Sequence, residues 1–238
     1  MITIHWTTVG DISPATLDAI LASQRAVERA LGVDFVQDGG SDVTYLESAV
    51  WGTSAATVGL PSAVWLLPGE DGRWALHELG HSLGLSHSSD SGMTGSVMSY
   101  QWDTWSEELG QWLIPQGFMA LDIEHLVPVY GASHRNDGNT VWRPDPLVID
   151  SVLDWDGCDT LDLSRSHGAM VDLEAGWIDH ADGGRTWVLP DAIEVVRLSP
   201  GADTVALSAG DLFIGLGRDD RLPLPGEVRR VASRAVRL

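Results

Sequence analysis

One run of residues constrains this chain more than any other: His77-Glu78-Leu79-Gly80-His81-Ser82-Leu83-Gly84-Leu85-Ser86-His87, which reads H-E-x-x-H-x-x-G-x-x-H without a substitution. On a helix, residues four apart stand one above the other on one face, so His77 and His81 can direct two imidazoles at one ion. Glu78 is rotated about a quarter turn away from them on the helix. Its carboxylate therefore stands beside the metal rather than on it, where it can take a proton from water. A third ligand at His87 cannot come from a straight helix, and Gly84 is the residue that lets the chain turn sharply at the helix C-terminus. Three imidazoles with one open position make a catalytic zinc site. H-E-x-x-H alone also occurs on ordinary solvated helix faces, so the third histidine and the glycine carry the reading.

A second motif follows at the spacing the first one needs. Ser96-Val97-Met98-Ser99-Tyr100 brings a methionine shortly after the third histidine, as in a Met-turn. With both motifs the chain resembles the metzincin zinc peptidases, and within them the serralysin-like group. The resemblance implies a hydrophobic floor at Met98 beneath the three histidines. It also implies a role for Tyr100 as a metal ligand or as a hydrogen-bond donor to the transition-state oxyanion.

The order of elements agrees with that resemblance. Ile2 to Trp6 alternates apolar and polar residues and predicts a first strand. Ser13-Pro14 is a helix start, and Leu17, Ile20, Leu21, Val27 and Leu31 form a helical stripe closed by Gly32. Val33 to Val36, Asp42 to Leu46 and Ser62 to Leu67 read as further strands. The resemblance nominates the last, at Ala63 to Leu67, as the sheet edge that lines the cleft. Asp71-Gly72 is the expected break before the zinc helix, whose buried face is Leu76, Leu79 and Leu83. Trp102 and Trp105 could line a substrate pocket, but core or lid packing is the more frequent use of tryptophan. A helix through Met119, Ile123, Leu126, Val127 and Tyr130 closes the domain, and the wording Leu121-Asp122-Ile123-Glu124 again looks serralysin-like.

Past residue 131 the character changes to short strands with Gly/Asp turns. The run Asp154-Trp155-Asp156-Gly157-Cys158-Asp159-Thr160-Leu161-Asp162 resembles the start of the serralysin C-terminal β domain. Gly201-Ala202-Asp203-Thr204-Val205 is half of one calcium-roll repeat, and Gly215-Leu216-Gly217-Arg218-Asp219 carries arginine where an apolar residue belongs, so tandem calcium repeats are not expected. Asp154, Asp156, Asp159 and Asp162 could hold one calcium ion or form a solvated acidic turn. The fold class expected is α+β: a zincin-type domain over residues 1–130, with a mixed sheet, zinc helix and C-terminal helix, then a mainly β domain over 131–238 with degenerate calcium repeats.

Composition narrows the partners. The formal net charge is −20, and all the basic residues are arginine. Such a surface repels nucleic-acid phosphates and anionic membranes. A single cysteine, Cys158, allows no intrachain disulfide. The N-terminus shows no basic segment or long apolar run, so no secretory signal or membrane anchor is recognisable. Only 76 residues precede His77, fewer than the family resemblance implies, which describes a trimmed catalytic domain. The expected activity is zinc-dependent endopeptidase action on a protein or peptide substrate, with the zinc-bound water activated by Glu78. The alternative is a structural component of a larger assembly, such as a virion tail, that keeps a peptidase domain for local digestion or as a scaffold and finds assembly partners through its C-terminal domain. The compartment is accordingly extracellular by a leaderless route, or the assembly itself. His5, His125, His134, His167 and His180 are assigned no role.

Overall fold

Alternation in the first eight residues is a strand pattern, and the chain uses it as one. In a computed structural model, residues 1–206 are described apart from 51, 70, 71, 90, 91, 102, 103 and 190, together with the backbone of 212–214, 221–224, 227–230 and 236–237. The expected cap at Asp71, Trp102 and the repeat at 215–219 fall outside the described residues. Two compact units result, one of Met1–Asp103 with Ile114–His134, the other of Thr104–Leu113 with Arg135–Leu238.

In the first unit, strand β1 (Ile2–Val9) leads to helix α1 (Pro14–Ala30), and then come β2 (Val33–Gln37), β3 (Val43–Glu47), β4 (Ala55–Ala56), β5 (Ser62–Leu66) and helix α2 (Gly72–Ser82). Ser13 caps α1 by accepting from the Thr16 amide, with Pro14 at the first turn, where its missing N–H costs nothing. The sheet order is β2-β1-β3-β5-β4, parallel except for β4. Parallel strands need crossovers, and α1 supplies the one between β1 and β2. It packs on α2, closely enough that a methyl at Gly72 would touch Ala22 at 3.5 Å. The core is Ile4, Trp6, Ile20, Val27, Tyr45, Val64 and Leu66, with Leu76 and Leu79 from α2. Helix α3 (Ala120–Tyr130) closes the unit.

The strand before the zinc motif is not the sheet edge. Two residues of β4 pair antiparallel with β5, Ala55 with Trp65 and Ala56 with Val64, and the Leu67 amide donates to Ser54 Oγ at 3.1 Å. The rim therefore passes from Ala63–Leu67 to the short β4, because β5 is held on both sides.

The second unit holds a hairpin, β6 (Trp105–Ser106) with β7 (Gln111–Trp112), and then β8 (Val141–Trp142), β9 (Ile149–Val152), β10 (Thr160–Asp162), β11 (Ala169–Asp172), β12 (Trp177–His180), β13 (Arg185–Val188), β14 (Val195–Arg197), β15 (Thr204–Ala206), β16 (Leu212–Ile214), β17 (Arg221–Leu224), β18 (Glu227–Arg230) and β19 (Val236–Arg237). From β8 to β17 the chain alternates between two sheets, apart from the hairpin β12–β13, and β18 turns back on β17 in the same sheet. One has the order β19-β16-β14-β10-β8 and the other β18-β17-β15-β11-β12-β13-β9. Strands β8, β10, β14 and β16 run parallel, as do β11, β15 and β17. The hairpin β12–β13 is inserted in the second sheet alone. Each short strand turns inward a central residue, Leu161, Val171, Val196 or Val205, and these join one apolar core with Val152, Ile178 and Val188. Trp105 and Trp112 meet edge-on at 5.4 Å and are exposed, so Trp105 is not core. Among the described residues no helix is long and apolar enough to cross a membrane.

Candidate metal centre

Helix α2 carries His77, Glu78 and His81 on its buried length. Its end is fixed by Gly84, at φ 103°. The Gly84 amide donates to the His81 carbonyl at 2.9 Å and the Leu85 amide to the Gly80 carbonyl at 3.0 Å. That pair of bonds is a Schellman closure, which leaves the helix axis within one residue. The turn then delivers His87 beside the two helical histidines.

Ring nitrogens of His77, His81 and His87 all lie within 4.8 Å of one another, and this is the one group of three or more metal-ligating side chains so placed among the described residues. His81 Nε2 and His87 Nε2 are 3.0 Å apart. His77 Nδ1 lies 2.8 Å from the Val97 carbonyl, and His81 Nδ1 2.8 Å from the Leu85 carbonyl. A carbonyl only accepts, so each Nδ1 carries the proton and donates it. Both Nε2 atoms consequently present lone pairs to the cluster. A donor set of imidazole lone pairs converging on one point suits zinc, and the residues present fit that ion. Burial, opposed by the bond to Val97 and reinforced by the two neighbouring imidazoles, lowers the His77 pKa to about 4; burial lowers that of His81 as well.

Three further side chains complete the centre. Tyr100 is 52% exposed, yet its hydroxyl reaches 3.1 Å from His87 Nε2 and 3.4 Å from His77 Nε2. Its phenol is held above the usual value by burial and then by the Glu78 charge, which places that carboxylate within electrostatic reach. Glu78 is buried at 4% exposure. Met98 is packed under the helix, and a methyl at Gly80 would stand 2.6 Å from its sulfur. Gly80 is the space the thioether occupies.

Two residues that the motif reading passed over also shape the site. Asp122, at the first turn of α3, accepts from Ser96 Oγ at 2.6 Å, from the Val97 amide at 2.9 Å and from the Met119 amide at 2.9 Å. Since the Val97 carbonyl holds His77, one carboxylate ties α3 to the loop that orients that imidazole, as outer-shell partners do where a histidine binds a metal. Its signal was present as an acid three residues after a helix start. Trp74, one turn before His77, packs edge-on to the His77 ring at 5.8 Å and lies 6.4 Å from the Tyr100 ring. No sequence motif marks it.

The four aspartates considered for calcium do not form a group of metal-ligating atoms, although the charges of Asp154, Glu194 and Asp156 add to burial in raising the Asp159 pKa. Asp154 accepts from Trp142 Nε1 at 2.7 Å, Asp159 from the Thr140 amide at 2.7 Å, and Asp162 pairs with Arg143 at 3.2 Å. Asp156 is exposed. Each of the buried three is already committed to a protein donor, so the calcium expectation gains no support. His167 bonds Asp182, and His180 sits between Ser166 and Thr186.

No protein-family model matches the chain, and no curated protein matches it. Among solved structures, high choriolytic enzyme 1, a hatching enzyme zinc-protease from the medaka fish Oryzias latipes, aligns with a TM-score of 0.40 at 13% identity over 55% of this chain and 90% of its own.

Proposed function

We propose that this chain is a zinc endopeptidase of the metzincin type. The observation that carries the reading is the convergence of three imidazoles, two with their outer nitrogens pinned by backbone carbonyls, beside a buried glutamate. His77, His81 and His87 would hold the ion. When bound, zinc supplies a Lewis acid and makes its water acidic near neutrality, at a pKa of about 7. Glu78 accepts the proton from the attacking water and passes it to the leaving amine, so that the C–N bond breaks as a neutral amine departs. The Tyr100 hydroxyl donates to the oxygen of the scissile carbonyl as negative charge grows on it, a contribution that counts only in the transition state. Trp74 stands beside Tyr100, its ring 6.4 Å from the phenol ring.

The narrower placement, a serralysin-like enzyme followed by a β domain of that group, rests on Ser96-Val97-Met98-Ser99-Tyr100 and on the Asp154 to Asp162 run. Alternation of parallel strands between two sheets in the second unit supports it.

The test is a peptide library presented to purified protein of measured zinc content, with Glu78→Gln alongside. We expect one zinc per chain in both proteins, cleavage by the parent, and a loss of at least about a hundredfold in the variant, since the lost proton transfer alone is worth roughly 10²–10⁴. Zinc bound with no peptide cut by the parent would overturn the reading in favour of an assembly component with a retained scaffold.

A further inference from the structure

Among the described residues, Trp105 and Trp112 are the two exposed tryptophans, each at 44%. Both stand on the hairpin β6–β7 of the second unit. They are directly opposed across its ladder, and opposed residues project to one side of a strand pair. The other pair, Ser106 with Gln111, projects to the opposite side. Ser106 is buried there, and its hydroxyl accepts from the Leu109 amide at 3.2 Å. A methyl at Gly183 would collide with that hydroxyl, so the hairpin is seated directly on the backbone of the turn between β12 and β13. One face of the hairpin is thus anchored, and the other, bearing two indoles, is open.

We propose that the Trp105 and Trp112 face is a docking site for a basic segment of another polypeptide, which places an arginine or lysine head in the corner of the two indoles. The ring planes meet at 76° with centroids 5.4 Å apart. Such a corner receives a compact cation against negative ring faces, within the roughly 6 Å of a centroid that the attraction requires. A flat sugar ring, which stacks on one broad aromatic face, finds no platform there.

Charge favours the same occupant. The turn joining the two strands carries Glu107 and Glu108, both exposed. They follow Trp105 by two and three residues, a reach of at most about 11 Å, close to the Debye length of about 8 Å at physiological salt. His167, which senses the Glu108 charge, is bonded to Asp182, so its protonation makes a neutral couple rather than a free cation. The chain as a whole carries −20. A cation is therefore drawn toward the indoles and an anion is repelled. The same unit already shows the contact, since Arg185 stands over the Trp177 ring at 4.3 Å. A lone ammonium ion would remain largely wetted in so open a corner, whereas a polypeptide adds contacts to Leu109, 37% exposed in the same turn. This docking depends neither on the metal centre nor on the peptidase reading.

The experiment is fluorescence anisotropy with the full chain in a Glu78→Gln background, so that bound peptide is not consumed. The probes are a labelled peptide of arginine and lysine spaced by serine and glycine, and its counterpart with citrulline and norleucine in place of the basic residues. At salt well above physiological, where the diffuse attraction of the acidic chain is screened, we expect the basic peptide to bind at least about tenfold more tightly. Trp105→Leu and Trp112→Leu keep apolar bulk and remove one aromatic wall each. Either should cut that preference below about threefold, with unchanged thermal midpoints verifying the fold. Glu107→Gln combined with Glu108→Gln leaves the ladder intact and should weaken the basic peptide about two- to threefold at physiological salt. A preference that survives both tryptophan variants overturns the proposal. Tryptophan-dependent binding of a neutral oligosaccharide such as cellohexaose, with none of the basic peptide, overturns it in favour of a sugar. Tetramethylammonium that displaces the peptide at concentrations near the peptide's own Kd overturns the polypeptide assignment in favour of a small cation.

Discussion

Asp122 shows how one buried carboxylate can govern a site it does not touch. Burial pushes its carboxyl up to about 6, against hydrogen bonds from Ser96, Met119 and Val97 that pull it down. A folded-state pKa above the free value of 3.8 means that the folded protein binds this proton more readily than the unfolded chain. The stability this group contributes is therefore complete below about pH 4 and is lost as pH rises through about 6. Asp122→Asn preserves the geometry, because one amide oxygen can take both backbone N–H groups while the amide donates to Ser96. We expect urea melts of metal-free protein to lose the pH 4 to 6 slope in that variant. Asp122→Ala strands two buried amides and should cost about 3 kcal/mol at pH 5 in the same melts.

Among the elements, the end of α2 carries the most. Gly84 adopts a backbone conformation at φ 103° that side chains rarely tolerate, although open space surrounds it. Gly84→Ala should therefore cost about 1–3 kcal/mol through strain alone. It should also weaken zinc binding, measured by competition with a chromophoric chelator, because His87 leaves its place relative to His81. This element was legible in the sequence for a physical reason: ligand geometry admits few spacings, and only glycine serves at the turn. The same holds for α1, whose Ser-Pro start and apolar stripe are local signals. The sheet edge was not legible. Ala55-Ala56 is too short to show alternation and has no β-forming side chain, so β5 looked terminal until its pairing was seen. Asp122 was hidden because its partners, Ser96 and Val97, are distant in sequence.

At the scale of the whole molecule the two units meet their polar demands differently. The first gathers three imidazoles, and on the proposed reading zinc would take their lone pairs. Zinc should raise its thermal midpoint, with a stabilisation of about 2.7 kcal/mol at a free concentration a hundredfold above Kd. The second unit fills the same need from within. Asp159, just ahead of β10, accepts from Thr140 just ahead of β8, and Asp203, just ahead of β15, accepts from Ala169 at the start of β11. Glu194, ahead of β14, accepts from the Asp159 amide at 2.6 Å. Acids at the strand starts thus hold the amides of the preceding coil. Millimolar calcium, or its removal with EGTA, should leave the melting of this unit unchanged in calorimetry; a shift of several degrees would contradict that assignment. Here the sequence showed only short strands and turns, since a three-residue strand with one inward side chain has no period to read.

The hairpin β12–β13 lies between β9 and β11 in one sheet, while their counterparts β8 and β10 in the other sheet are direct neighbours. Two facing sheets of a coiled chain need not, therefore, grow in step. A turn of the winding can take in a whole antiparallel pair, widening one wall and leaving the opposite ladder in register. Length can enter such a fold as complete modules, and its boundaries tolerate additions that a closed barrel or a globular core would reject.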